Sequence, residues 1–243
     1  MKKFCDLHLH LPLSDMESAE RMIKKAASLG YCAIGVPLPA NVSETLVSKL
    51  RQLCTESGMD LITRLDLAPK NTDELLSQLR RNRRRFEIVS VSCTFKTVAR
   101  QAAKDRRVDL LSFPSLDYRN RYFDDAEAEL AASALASFEI DMAVLLSASS
   151  FERMRLLTNL RRETTIADKF SVPIIISSGA KTENLMRRPQ DFAALAYLFD
   201  LPLNLALKAV SANPFGIVTR NRAKLDASFV APGIRVVKRG KDC

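Results

Sequence analysis

Asp60-Leu61-Ile62-Thr63-Arg64-Leu65-Asp66-Leu67 is a short, largely apolar run in which Arg64 and Asp66 fall on one face at the period of two that a β-strand imposes. It is one of seven such runs. The others are Phe4 to Leu9, Tyr31 to Val36, Phe86 to Cys93, Val108 to Phe113, Ile140 to Leu146 and Val172 to Ile176, and successive starts lie 27, 29, 26, 22, 32 and 32 residues apart. That interval holds one strand, one crossover helix and two loops, so the chain reads as repeated βα units around a parallel sheet. Neither GxGxxG after the first strand nor GxxxxGK[ST] anywhere is present, which removes the usual signatures of an open nucleotide-binding sheet. Even spacing favours a TIM-like (βα) barrel of seven strands, distorted from the usual eight.

Helix signals occupy the intervals. Ser14 with Glu17 forms a candidate capping box before Met16 to Leu29, and Gly30 follows as a stop. Ser43 caps Glu44 to Cys54, Asn71 or Thr72 precedes Asp73 to Leu79, and Asp125 leads into Ala126 to Ser137. Toward the end, Asp191 to Asp200 and a helix from Pro202 and Leu203 to Ser211 are expected. No linker interrupts the alternation, so residues 1–243 are expected to form one α/β domain, with a basic tail from about Arg220 and a last strand at Ile234 to Val237.

The composition is that of a folded chain, 47% hydrophobic and 27% charged with 7 Gly and 10 Pro, which excludes collagen-like and disordered classes. Five cysteines (Cys5, Cys32, Cys54, Cys93, Cys243) form no CxxC pair, so neither a disulfide scaffold nor a zinc knuckle is indicated, and a cytoplasmic location is expected. They sit in apolar surroundings and are expected in the core. No run reaches the roughly 18 to 20 apolar residues of a membrane span.

Charge is the unusual quantity: 37 Lys and Arg against 28 Asp and Glu leave +9, which directs attention to a polyanionic partner. It is unevenly placed. Between Arg80 and Arg107, ten cations (Arg80, Arg81, Arg83, Arg84, Arg85, Lys96, Arg100, Lys104, Arg106, Arg107) face two acids, Glu87 and Asp105. A helix end needs one or two cations to complement its dipole, and the run Arg80 to Arg85 carries five, so phosphate contact is the expected use. Conversely, Phe123 to Asp141 holds Asp124, Asp125, Glu127, Glu129, Glu139 and Asp141 without Lys or Arg, either a solvated acidic helix or a face for a protein partner.

The two histidines of the chain are His8 and His10, in Asp6-Leu7-His8-Leu9-His10. Regular alternation places Asp6, His8 and His10 on a face looking into the barrel and Cys5, Leu7 and Leu9 under the helices. HxH on a first strand resembles the start of the metal-dependent phosphoesterases of the polymerase and histidinol phosphatase family. Those enzymes need further histidines for their metal ions, and this chain has none, so His8 and His10 are weak metal candidates and no catalytic residue is assigned. An inward Arg64 paired with Asp6 or Asp66 would replace a metal electrostatically; an outward Arg64 would be a surface cation. Ile176-Ser177-Ser178-Gly179-Ala180-Lys181 has the small polar character of a barrel phosphate loop.

Over nearly its whole length the chain resembles the third protein component of archaeal ribonuclease P and the thirty-kilodalton subunit of its eukaryotic counterparts. The resemblance rests on Leu61 to Leu67, on Arg107-Val108-Asp109-Leu110-Leu111-Ser112-Phe113-Pro114, and on the block from Ile175 to Ala180 through Met186-Arg187-Arg188-Pro189-Gln190-Asp191-Phe192 to Val210-Ser211-Ala212-Asn213-Pro214. It implies a barrel of the polymerase and histidinol phosphatase type without chemistry of its own. It also implies that an RNA subunit with magnesium removes the 5′ leader of precursor tRNA, the protein holding no cofactor. Implied partners are ribonuclease P RNA, precursor tRNA, protein component 2 and the other protein components. Candidate RNA contacts are Arg64, Arg100, Arg107 and Lys181 by correspondence, and Arg80, Arg81, Arg83, Arg84 and Arg85 by charge.

Overall fold

The computed structural model describes residues 3–226, 228–231 and 234–236. Seven parallel strands follow one another in chain order around a nearly closed barrel: β1 (Cys5–Asp6), β2 (Ala33–Pro37), β3 (Asp60–Leu67), β4 (Ile88–Ser92), β5 (Leu110–Ser112), β6 (Ser137–Asp141) and β7 (Ile174–Ser177). Helices α1 (Met16–Ser28), α2 (Glu44–Glu56), α3 (Thr72–Asn82), α4 (Lys96–Lys104), α5 (Asp125–Ala134), α6 (Met142–Ser147) and α7 (Ser150–Lys169) connect them. After β7 come α8 (Pro189–Leu195), α9 (Leu203–Ala209), α10 (Ala212–Leu225) and a small hairpin, β8 (Phe229–Ala231) with β9 (Ile234–Arg235). Cys243 and Val237 lie outside the described residues.

The barrel is sewn shut between its first and last strands. Leu9 bridges Ala180, the His10 amide donates to the Ala180 carbonyl at 3.0 Å, and the Gly179 amide donates to His8 O at 2.9 Å. Inside lies a compact cluster of Cys5, Leu7, Ala33, Ile62, Ile88, Leu110 and Ile175, which Ile217 and Val218 of α10 join. A separate, larger core fills the layer between sheet and helices. Helix α10 therefore belongs to the barrel's packing and runs to Leu225, past the point where a tail was expected to begin.

Several local expectations change. Asp15, rather than Ser14, caps α1 by accepting from the amides of Glu17 and Ser18. The first strand is shorter than Phe4 to Leu9 because the Asp6 carboxylate accepts the His8 amide and bends the chain at Leu7. That bend breaks the alternation: Cys5 and Leu7 face the barrel interior, whereas Leu9 joins the outer core. Gly35 accommodates the bend, since a Cβ there would overlap the Leu7 backbone. The apolar run Met142 to Leu146 is helix α6, and the strand before it starts at Ser137, masked in the sequence by its inward polar residues. Leu135, with φ of 63°, ends α5 before that strand.

Candidate functional site

Arg64 occupies the C-terminal mouth of the barrel. Its side chain is 1% exposed; Nη1 and Nη2 grip Glu139 of β6 at 2.5 and 2.7 Å, Nε donates to Asp66 at 2.6 Å, and Nη1 also reaches Leu7 O at 2.9 Å. Glu139 accepts two further bonds, from Ser177 Oγ at 2.7 Å and Ser90 Oγ at 3.3 Å. So the partners of Arg64 are Asp66, as expected, and Glu139; Asp6 instead accepts the Ser178 and His8 amides. A buried two-pronged ion pair with every lone pair answered is the arrangement in which two desolvated charges are tolerable.

His8 stands beside this pair. Its Nδ1 lies 2.8 Å from Asp141 Oδ1, and its Nε2 is 3.3 Å from Asp66 Oδ2, a charge contact not aligned as a hydrogen bond. Burial and the Arg64 charge favour a neutral ring, yet the Asp141 and Asp66 carboxylates prevail and push its pKa to about 10. Against the upward pull of burial, the His8 charge in turn holds Asp141 below the usual carboxylate range. His10, half-buried with its ring centroid 4.4 Å from that of His8, is driven down to about 4 by burial and by the His8 charge.

Ligand atoms of His8, Glu139 and Asp141 all lie within 4.8 Å of one another, close enough for a metal ion. The donor chemistry does not fit one. Both nitrogens of His8 face carboxylates, so the ring is an imidazolium with no lone pair to give, and Glu139 is engaged on both oxygens by Arg64 and serines. The protein's own two cations fill the electrostatic place a divalent ion would take.

These charges make a pH signature. A histidine whose pKa rises on folding contributes stability that is complete below its unfolded value near 6.5 and is lost as pH climbs through about 10. Thermal unfolding followed between pH 6 and 10 should therefore show falling stability, and His8→Gln should flatten that slope. A wild-type slope equal to the variant's would mean His8 is not charged in the fold.

The small polar segment after β7 is not a free phosphate loop. Its amides are already spent: Ser178 N donates to Asp6 at 2.9 Å, Gly179 N to His8 O, and Ala180 N to Ser178 Oγ at 3.1 Å. Those bonds close the barrel. Lys181 is exposed at this mouth, close enough to His10 for its charge to oppose protonation of the ring.

The opposite, N-terminal end of the barrel is organised by α10. Buried Asp109 accepts from Asn221 at 2.8 Å, from Arg83 and Arg220 at 3.3 Å each, and from the Val89 amide at 2.9 Å. Arg222 of α10 pairs with Asp60 and Glu87. Around these anchors stand cations that face solvent. Arg80, Arg81, Arg84 and Arg106 have no ion-pair partner among the described residues, while burial and the charges of Arg220, Arg83 and Arg106 depress the pKa of Lys224. Arg85 donates to Ala40 O and, with Arg51, Arg84 and Arg222, lines a groove of about 760 Å³.

The expected RNA contacts are thus divided. Arg80, Arg81, Arg84 and Arg85 are exposed at the N-terminal end, and Arg83 is half-spent on Asp109. Arg107, also at that end, pairs with Asp105 at 2.6 Å, and Arg100 on α4 pairs with Asp124 and Glu127. Arg64 is interior, with its guanidinium consumed, so it offers no surface for RNA. The acidic stretch is no single face either. Glu139 and Asp141 enter the barrel mouth, Glu127 is buried on Arg100, and Asp125 pairs with Lys169 at 2.5 Å. Sequence reading missed Arg51, Arg220, Arg222 and Lys224, which only the packing of α2 and α10 brings to the arginine run.

Residues 3–226 match the family described as RNase P subunit p30. Ribonuclease P protein component 3 of Methanosarcina mazei is 27% identical over 240 residues, covering 99% of this chain and 98% of its own. The protein of that name from Methanocaldococcus jannaschii is 22% identical over 200 residues, covering 82% and 85%. Among solved structures, a chain of the cryo-EM structure of archaeal ribonuclease P with mature tRNA aligns with a TM-score of 0.82 at 21% identity, over 92% of this chain and 96% of that one. A putative prolidase from Bifidobacterium longum aligns with a TM-score of 0.58 at 11% identity, over 91% and 70%. These two likenesses speak to the barrel fold alone. No helix among the described residues is long and apolar enough to cross a membrane.

Proposed function

The chain belongs to the RNase P subunit p30 family and is a protein subunit of that enzyme, and we propose that it meets the catalytic RNA through the N-terminal end of its barrel. The observation that carries this reading is the contrast between the two ends. At the mouth, the carboxylates of Asp66, Glu139 and Asp141 are answered by Arg64 and His8; at the other end, Arg80, Arg81 and Arg84 stand in solvent without a counter-ion among the described residues. Fixed cations of that kind displace condensed counterions from RNA, which favours binding entropically and lowers the magnesium needed for the active RNA fold. Contact through phosphates and shape suits an A-form target, whose deep groove side chains do not read.

In this reading the chemistry of 5′ leader removal from precursor tRNA stays with the RNA and its magnesium, in the cytoplasm. The protein stabilises that RNA together with protein component 2 and the other components. A metal-dependent phosphoesterase is disfavoured because its donor set is consumed. The face assignment is tested by photo-crosslinking within the assembled particle. A benzophenone side chain at position 84 should crosslink to the RNA more strongly than one at position 181, and the reverse order would move the interface to the mouth.

A further inference from the structure

A second groove, of about 730 Å³, lies between the β5–α5 connection and the outer face of α7, away from the N-terminal arginines. Its walls combine large exposed apolar side chains with arginines. Tyr118 is 58% exposed and Met154 64%; Phe151, one turn before Arg155 on α7 and beside the lining rather than in it, is 59% exposed. The Arg119 guanidinium sits 5.7 Å from the Tyr118 ring centroid and that of Arg155 4.3 Å from the Phe151 ring, so two cation-and-ring pairs already flank the cleft. Thr158, Asn159 and Arg162, the last also 3.5 Å from buried Glu163, continue the same wall.

Charge complementarity decides the occupant. Arg119 and Arg155 have no ion-pair partner among the described residues, and the acid in the lining, Asp117, accepts the Arg119 backbone amide. An apolar protein partner would desolvate those two cations without compensation. A single-stranded nucleic acid satisfies both features, because bases offer flat π faces to rings and guanidinium planes while phosphates answer the arginines. We propose that this groove takes unpaired nucleotides of the RNA, with bases stacked on Tyr118 and Phe151 and phosphates on Arg119, Arg155 and Arg162. The proposal rests on the reading of the chain as an RNA-binding subunit and adds to it a second, base-stacking contact at the other end of the barrel. It also revises the sequence reading, in which no stacking motif was visible: Tyr118 and the α7 wall that carries Met154 and Arg155 lie far apart in the chain and come to one groove only through the fold.

The test uses the full-length protein and fluorescence anisotropy with two ten-nucleotide probes of equal charge, an unstructured adenine-rich RNA and an abasic backbone. Tyr118→Ala combined with Phe151→Ala should weaken binding of the base-bearing probe at least roughly tenfold, the scale of one or two lost stacks. The abasic probe should be unaffected, Tyr118→Phe should retain binding, and unchanged melting should confirm that both variants fold. Equal effects on the two probes, or no effect on either, would overturn the proposal, as would hydrogen-exchange protection of this groove by protein component 2 in place of RNA. Wild-type protein that binds ribonuclease P RNA with no dependence on Tyr118 and Phe151 would remove this groove alone. Failure to bind any RNA would remove the reading beneath it.

Discussion

Replacing Arg64 by Ala is expected to cost about 3–5 kcal/mol of stability, the range for stripping one partner from a buried ion pair. For a chain of this length, that corresponds to a melting temperature lower by roughly 6–20 °C. The reason is the carboxylate left behind. Glu139 has a fully buried side chain, and without the guanidinium it keeps only Ser177 and Ser90 as partners. A conventional surface arginine would lose under about 1 kcal/mol. Pairing Arg64→Met with Glu139→Gln should recover much of the loss, since both charges then leave together. Equal melting of wild type and Arg64→Ala would refute the internal-cation account.

The second large effect concerns RNA. Reversing Arg80, Arg81 and Arg84 to Glu should weaken binding to ribonuclease P RNA about 500-fold at 0.1 M salt, because each phosphate contact adds roughly 0.9 of a decade there. The slope of log affinity against log salt should become shallower by about 2 to 3. These three are the informative choice because they hold no ion pair among the described residues, so folding is spared. Arg83 would be a confounded one: its reversal would place a carboxylate against buried Asp109. Unchanged slopes would show that the run is merely solvated.

What the sequence disclosed and what it hid follow from the range of the interactions involved. Strand and helix periods are local, so seven βα units, the cap at Ser43, a cap at Asn71 or Thr72, and the shared face of Arg64 and Asp66 were readable, while the direction of that face stayed open between inward and outward. The pairing of Arg64 with Glu139 was not, because it spans the barrel between β3 and β6 and joins residues 75 apart. Glu139 and Asp141 were read as part of an acidic surface band, although their alternation with Phe138 and Ile140 already marked an inward polar face. The face of Asp6 went astray for a different reason: one side chain capping His8 N shifts the phase of everything after it. Similarly, the charge run at Arg80 to Arg85 was evident, but its enlargement by Arg220, Arg222 and Lys224 depends on α10 turning beneath the barrel.

The central claim is that this chain supplies cations and shape to a catalytic RNA and no reaction of its own. Its most direct measurement is cleavage of precursor tRNA by ribonuclease P RNA reconstituted with protein component 2, titrated with magnesium in the presence and absence of this protein. The protein should lower the magnesium needed for cleavage, the Arg80, Arg81 and Arg84 reversal should abolish that shift, and His8→Gln should preserve it. A magnesium requirement unchanged by the protein, or activity that disappears with His8 alone in a well-folded variant, would contradict the claim.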